Sequence, residues 1–153
     1  MQADLLLAAG IVSAPEYIER RIGSRESWFH WPNVCLTGCS ITVRFVVRAA
    51  HAQTGINWLL QKEQQAYGDI VRVDVPWNET RLRGPVLSVA AWFAYAVEHF
   101  RPSTFLAKLD DDAYVHAPGL ESLLRQVHAA APWPNSIYLG AMSWFHWYPN
   151  IFE

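Results

Sequence analysis

Short apolar segments alternate with helix-like segments along most of this chain, and this alternation restricts the fold more than any other feature. The β-like runs are Leu5–Val12, Ile41–Arg48, Ile70–Val75, Thr104–Leu109 and the short Ile137–Gly140. The helix-like stretches extend from Ala14 to about Trp28, then over Trp58–Tyr67, Arg83–Phe100 and Pro118–His128. Strands and helices in this order predict an α/β domain with a mostly parallel sheet and helices on both faces. Ligands of such sheets bind at the carboxyl ends of the strands.

Local signals support these element boundaries. Ser13 stands three residues before Glu16, which is the capping-box spacing, and Pro15 suits the first turn of a helix. These residues predict that a helix begins directly after the first strand, with Ser13 as its N-cap. Gly68 is a natural stop for the second helix. The apolar residues that follow helical spacing in the third helix are Val86, Val89, Ala90, Phe93 and Val97.

The composition indicates one globular domain. The chain has 153 residues, of which 52% are hydrophobic and 17% charged, so it can bury a sizeable core. The net charge of −2 argues against a surface built to bind nucleic acid or anionic lipid. The opening run Leu5–Val12 is too short to cross a bilayer. Because the chain opens on a core strand and stops among aromatic residues, we expect a fragment that is cut at both ends, with its fold truncated at the C-terminal side.

Two cysteines, Cys35 and Cys39, form a C-x3-C pair near His30. A zinc site needs further ligands, and none is evident nearby. Two free thiols or a disulfide are the remaining alternatives, and the spacing does not decide between them.

Three consecutive carboxylates, Asp110, Asp111 and Asp112, lie between two apolar β-like runs. Repulsion and desolvation make such a triplet costly unless a cation or several hydrogen-bond donors compensate it. In an extended chain Asp110 and Asp112 face the same side, so they can converge on one Mg²⁺ or Mn²⁺ ion while Asp111 points away. A solvated acidic turn is the alternative. Lys108 shares the face of Asp110, where it can meet a phosphate or form a plain ion pair.

The acidic triplet lies within the segment Lys108–Val115, KLDDDAYV. Four further segments accompany it along the chain: Ser13–Trp28 (SAPEYIERRIGSRESW), Glu63–Val71 (EQQAYGDIV), Asn78–Leu87 and Tyr138–Gly140 (YLG). In this order the five segments resemble those of the β-1,3-galactosyltransferase family of glycosyltransferase family 31, and KLDDDAYV is similar to that family's DxD segment. The chain departs from the family pattern at Gly23, Ser24 and His116. The resemblance covers most of residues 5–150.

The resemblance implies a GT-A-like (Rossmann-like) fold and the nucleotide-sugar-binding half of a catalytic domain, in residues 1–153. It implies a hexosyltransferase that moves galactose or N-acetylglucosamine from a UDP-sugar to a 3-hydroxyl of a glycan or glycoconjugate, with inversion. The implied metal is Mn²⁺, with Mg²⁺ as the alternative, held by Asp110 and Asp112. The catalytic base and the acceptor-binding half are expected beyond residue 153. The implied location is the lumenal side of the Golgi membrane, reached through an anchor that this chain lacks.

The remaining candidates for contact with the nucleotide-sugar are Asp111, Lys108, Arg21, Arg25, Ser13 and Asp74. Arg21 and Arg25 are four residues apart and share a helical face, and an arginine fork suits phosphate. Ion pairs with Glu16, Glu19 or Glu26 are the alternative for both. Asp111 is expected to bond the ribose or to hold its loop.

The third strand and the segment after it contain two further candidates. Asp74 lies near the carboxyl end of that strand, which suits contact with the base or ribose of a nucleotide. Asp69, at the other end of the strand, is expected to be a turn residue. Asn78-Glu79-Thr80 is an N-glycosylation sequon, so Asn78 is a candidate modification site.

Two other functions compete with a transferase. A catalytically incomplete fragment would bind a nucleotide or a partner and transfer nothing. A different metal-dependent phosphoryl enzyme would need further ligands beside Asp110 and Asp112, and no second metal motif is evident.

Tyr67 and Trp28 are expected to lie in the core.

Overall fold

The structure is a computed structural model that describes residues 4–101, 103–130 and 137–140. Five strands form one sheet: β1 (Leu7–Ser13), β2 (Val34–Cys35), β3 (Ile41–Arg48), β4 (Ile70–Val73) and β5 (Phe105–Asp110). Four α-helices accompany them in the described part of the chain: α1 (Ile18–Glu26), α2 (Ile56–Tyr67), α3 (Arg83–His99) and α4 (Ala117–Ala130). Two short 3₁₀ turns cover Trp28–His30 and Ala52–Thr54.

Every strand pair among the described residues is parallel. β3 pairs with β1 on one side, and on its other side with β2 at its start and β4 at its end. β5 pairs with the free side of β1, where Val12 lies opposite Asp110. The chain therefore builds the sheet outward from β1 in one direction, through β3 to β4, and then crosses back to place β5 on the other side. The strand order reverses between β1 and β5, and open α/β sheets bind ligands at such a switch point, outside the carboxyl ends of the strands.

Helices cover both faces of the sheet. On one face Leu7, Ala9 and Ile11 of β1 pack with residues of α2, α4 and the first 3₁₀ turn. On the other face Ala8 of β1 packs against Trp92 of α3. The predicted fold class, a mostly parallel sheet with helices on both faces, is confirmed.

Gly10 in β1 provides the space for α3. The Trp92 ring lies so close that a Cβ added at Gly10 would be 2.4 Å from its atoms. The indole Nε1 of Trp92 donates a hydrogen bond of 2.9 Å to the carbonyl of Ala107 in β5. A bulky aromatic residue of α3 is thus fitted to a glycine of the central strand.

The predicted start of the first helix is wrong by four residues. α1 begins at Ile18, Ser13 is the last residue of β1, and no side chain caps the helix. The reason lies in Arg21, whose guanidinium donates to the carbonyls of Ala14 and Pro15. Residues 14–17 form a turn over that side chain, and the hydroxyl of Ser13 bonds elsewhere.

The other helices agree with the sequence prediction, but α3 buries an unexpected face. Its buried residues are Gly84, Ser88, Trp92 and Ala96. Val86 and Val97, which belong to the apolar pattern that predicts this helix, are exposed. Trp92 on this face meets β1, while its buried neighbours Gly84, Ser88 and Ala96 are small. The apolar pattern therefore predicts the helix but not its orientation.

The predicted strand Ile137–Gly140 is wrong, because those four residues are irregular in the structure. None of the described strands pairs with them, and a β-strand needs a partner strand to satisfy its backbone hydrogen bonds.

Cys35 and Cys39 form a disulfide, which decides between the two alternatives for these cysteines.

None of the described helices combines the length and the apolarity needed to span a bilayer.

Candidate functional site

The acidic triplet lies where β5 ends, beside the end of β1. Asp110 is the last residue of β5, and Asp111 turns inward beneath the loop with its side chain only 7% exposed. Its Oδ2 accepts a hydrogen bond of 2.7 Å from the hydroxyl of Ser13, and its Oδ1 accepts one of 2.7 Å from Arg20. Asp111 therefore anchors the loop to the first strand and to α1.

Asp110 and Asp112 remain in solvent on either side of this anchor. Their side chains are 66% and 70% exposed. Lys108 forms an ion pair with Asp110, and Nη1 of Arg20 lies 3.6 Å from Asp112. The structure thus separates the triplet into one buried carboxylate and two exposed ones.

The chemistry of the two exposed groups fits a hard divalent cation. Carboxylate oxygens are preferred ligands of Mg²⁺ and Mn²⁺. Among residues 4–101, 103–130 and 137–140, no group of three His, Cys, Asp or Glu side chains is placed to hold a metal ion. An ion held by Asp110 and Asp112 would therefore keep open positions for other ligands.

Arg20 is a residue of this site that sequence reasoning missed. It lies in the first turns of α1 and stacks over the ring of Tyr17, with its guanidinium carbon 4.4 Å from the ring centroid. The hydrogen bond and the charge of Asp111 raise the pKa of Arg20 above its ordinary value. The available signal was its place beside Arg21, but only the tertiary structure shows which arginine faces the triplet.

Arg21 lies inside the protein and is only 1% exposed. Its Nε and Nη2 donate to the two carboxylate oxygens of Glu63 over 2.9 and 2.8 Å. Its Nη1 donates to the hydroxyl of Ser13 over 3.1 Å and to the carbonyl of Ala14 over 2.7 Å. Its fork is thus engaged by protein groups, so the geometry supports a role in holding the site rather than in contact with phosphate.

Arg25 extends the same buried network. It donates to both oxygens of Asp69 over 2.8 Å, and its Nη2 lies 2.8 Å from Glu63. Its guanidinium is held over the rings of Phe45 and Tyr67, at 4.9 and 4.0 Å from the centroids. The acidic partners come from α2 and the start of β4, and not from the glutamates of the first helix.

The charges of this network determine its titration. Burial by itself raises the pKa of Glu63, but hydrogen bonds from Arg21 and Arg25 outweigh it, so the pKa lies below its ordinary value. Burial likewise lowers the pKa of Arg25, and the bonds to Asp69 and Glu63 more than reverse this. Glu63 and Arg25 are therefore both ionised at neutral pH.

One expectation for residues near this network needs correction. Asp69 lies in the two-residue turn between α2 and β4, as expected, and its side chain is buried and paired with Arg25. Tyr67 does not lie in the core, since about half of its side chain is exposed where it covers the guanidinium of Arg25. Trp28 is buried as expected. Sequence reasoning assigned no role to Glu63, although it opens the segment Glu63–Val71 that resembles the family.

The remaining candidates lie apart from the triplet. Asp74 follows β4 and is exposed at the same edge of the sheet, three strand spacings or roughly 14 Å from β5. Asn78 is exposed in the turn between β4 and α3. Cavities of about 300 and 430 Å³ lie elsewhere, beside Arg25 and beside Glu121. The described part of the chain therefore presents the triplet on an open edge.

Comparison with known proteins agrees with this geometry. The chain is 28% identical over 140 residues to hydroxyproline O-galactosyltransferase GALT2 of Arabidopsis thaliana, covering 92% of this chain and 19% of that protein. It is 30% identical over 137 residues to hydroxyproline O-galactosyltransferase GALT5 of the same plant, covering 90% and 19%. It is 28% identical over 147 residues to human lactosylceramide 1,3-N-acetyl-beta-D-glucosaminyltransferase, covering 90% and 37%.

The chain thus spans about one fifth of the length of these plant relatives and over a third of the human one. The sequence model of the family described as Galactosyltransferase matches residues 19–146, which include all but the first residue of α1, the buried network and the acidic triplet. The anchored triplet at the switch point and this match together show that the chain belongs to the galactosyltransferase family of glycosyltransferases.

Proposed function

We propose that this chain forms the donor-binding part of a hexosyltransferase that moves galactose or N-acetylglucosamine from a UDP-sugar to a 3-hydroxyl of a glycan. The single observation that carries the proposal is the split triplet. Asp111 is anchored from within, while Asp110 and Asp112 are exposed at the carboxyl edge of the sheet. The names of the relatives support both sugars, since they include galactosyl- and N-acetylglucosaminyltransferases.

Asp110 and Asp112 would hold Mn²⁺ or Mg²⁺. Such an ion, when bound, neutralises the negative charge that develops on a diphosphate leaving group. Lys108 and Arg20 add two positive groups beside Asp110 and Asp112. Together with a bound divalent ion, these charges exceed those of the three aspartates, which favours an anionic ligand there. Asp74 is exposed at the same edge of the sheet, which supports it as our candidate for contact with the base or ribose of the nucleotide.

Inversion requires a base that takes the proton of the acceptor hydroxyl as it attacks from the opposite face. We assign no residue of this chain to that task, and we expect the base beyond residue 153. The second candidate function is therefore a module that binds nucleotide or a partner without transfer. The match to 19% of the plant relatives' length favours it for this chain taken alone.

We also propose the lumen of the Golgi as the location, with membrane attachment through a segment outside this chain. The Cys35–Cys39 disulfide supports an oxidising compartment, because such bonds are rare where thiols are kept reduced. The exposed Asn78 supports it as well, since its sequon is accessible to glycosylation.

Calorimetry with UDP tests the donor site. We expect the wild-type chain to bind UDP only with Mn²⁺ or Mg²⁺ present, and the Asp110→Asn/Asp112→Asn variant to lose that dependence. Asp4→Asn removes an exposed carboxylate near the start of β1 and is the matched control. The proposal is refuted if the wild-type chain binds UDP equally well with and without the metal ion. It is also refuted if the double variant keeps the wild-type dependence of UDP affinity on the metal.

An assay with UDP-galactose and UDP-N-acetylglucosamine in the presence of Mn²⁺ then separates the two candidate functions. Transfer to a glycan acceptor by the full chain supports a transferase. Metal-dependent UDP binding without transfer supports the binding module.

A further inference from the structure

We propose that Ser13 is a positioning residue that latches the acidic loop in the conformation competent for metal binding. The latch is the hydrogen bond from Ser13 to Asp111, which the structure contains. Its consequence for metal binding rests on the function proposed above. Ser13 is buried, and it joins the end of the first strand to a residue 98 positions away in the chain.

The direction of the Ser13 hydroxyl follows from its neighbours. A hydroxyl has one proton to donate, whereas an arginine only donates. Because Nη1 of Arg21 donates to Oγ of Ser13 over 3.1 Å, the oxygen accepts there and the proton is left for another acceptor. The carboxylate of Asp111 lies 2.7 Å away, against 3.4 Å for the carbonyl of Ala14. The shorter, charge-assisted bond to Asp111 is the stronger one.

Arg21 is itself held in place from a second helix. Its two bonds to Glu63 have the bidentate geometry that restrains a guanidinium in position and in angle. Glu63, Arg21, Ser13 and Asp111 thus form a continuous buried chain from α2 through α1 and β1 to the acidic loop. The latch is therefore connected to the core of the domain, and not to a mobile surface group.

Fixing Asp111 fixes the residues on either side of it. One carboxylate oxygen is taken by Ser13 and the other by Arg20, so the side chain has a single position. The backbone of Asp111 lies between the two exposed aspartates, so its position sets where both side chains originate. Groups that orient metal ligands in this way typically change metal affinity by about 10- to 100-fold when they are removed.

The test compares Ser13→Ala, Ser13→Thr and Ser88→Ala in the full chain. Ser88 is a matched control because it is also buried and donates one hydrogen bond, of 2.9 Å to the carbonyl of Gly84, on the opposite face of the sheet. Mn²⁺ affinity is measured from the electron paramagnetic resonance signal of the free ion. Hydrogen–deuterium exchange of residues 110–116 reports whether the loop is held.

For Ser13→Ala we expect about tenfold weaker Mn²⁺ binding or more, together with faster exchange in the loop. Ser13→Thr keeps the hydroxyl and is expected to restore both readouts. Ser88→Ala is expected to lower the melting temperature without changing either one.

The proposal is overturned if loop exchange in Ser13→Ala equals that of the wild type, or if Ser88→Ala loses Mn²⁺ affinity to the same degree. Failure of the proposed function gives a different result. In that case the wild-type chain itself shows no Mn²⁺ binding, while the exchange data still decide whether the latch exists.

Discussion

Each aspartate of the triplet has a distinct role because each meets a different environment. A buried carboxylate is stable only when it is paired or hydrogen-bonded, and Asp111 has one donor on each oxygen. Asp110 and Asp112 stay hydrated and need no such donors. Three identical residues in sequence thus become one structural anchor and two exposed carboxylates.

Arg20→Ala tests the positive charge beside these carboxylates. Without the guanidinium the site is more negative, so we expect UDP to bind roughly threefold to tenfold more weakly in the presence of Mn²⁺ at low salt. The difference between variant and wild type should shrink as salt is added, because Arg20 is partly exposed and its field is screened. Isothermal titration calorimetry at two salt concentrations measures both effects.

Arg125→Ala is the control for that experiment. Arg125 is likewise an exposed helical arginine paired with a carboxylate, at 2.6 Å from Glu121, but it lies on α4. Equal losses of UDP affinity in the two variants would mean that net charge, and not the position of Arg20, determines binding.

At the scale of elements, the contact between β1 and α3 is set by volume. Trp92 has almost no exposed surface, and its ring fills the space where a side chain at Gly10 would be. Because interiors are closely packed, this part of β1 has no room for even one added methyl group. The strand that carries Ser13 is thus held by α3 on one face and by α1, through Arg21, on the other.

Gly10→Ala is expected to destabilise the chain by about 1–3 kcal/mol, through overpacking against Trp92. Gly23→Ala is the opposite case, because Gly23 lies exposed in α1 and an added Cβ meets nothing within 4 Å. We expect it to stabilise the chain by about 0.5–1 kcal/mol, since alanine loses less conformational freedom in a helix. Urea denaturation measures both, and equal shifts of the same sign would contradict the packing argument.

At the scale of the whole molecule, the buried network joins α1, α2 and the start of β4. Two arginines and two carboxylates balance in charge, and Glu63 accepts from both arginines. Breaking such a cluster by removing one partner leaves an uncompensated buried charge, which typically costs about 3–5 kcal/mol. The network therefore fixes the orientation of α1 relative to α2 and β4.

The stability of the chain should depend on the ionisation of Glu63. Its pKa is lowered on folding, so the stability it contributes is complete above its ordinary pKa of 4.5 and is lost as the pH falls through the lower folded value. Glu63→Gln should lower the free energy of unfolding at pH 7 by about 3–5 kcal/mol. Below pH 4.5 the free energy of unfolding should fall less steeply with pH in this variant than in the wild type.

Urea denaturation from pH 3 to pH 7 measures this dependence, with the exposed residue Glu16, changed to glutamine, as the control. If Glu63→Gln keeps the wild-type acid profile, then Glu63 is not the group whose protonation lowers stability.

The sequence by itself determined the class of the fold and most of its elements. Alternating apolar runs, Gly68 and the spacing of α3 are local signals, and local signals suffice to place a strand or a helix. They also located the triplet at the end of a strand, and hence at the ligand-binding edge. The metal and the nucleotide remain predictions from that pattern.

Only the tertiary structure decided which charged groups meet. Arg21 and Arg25 pair with acids that are 42 and 44 residues away, and Ser13 meets Asp111 across 98 residues. A side chain's partner over such distances depends on how the sheet is ordered and on how each helix is rotated. Hydrophobic periodicity specifies neither, because it records which residues avoid water and not which buried charges must neutralise one another.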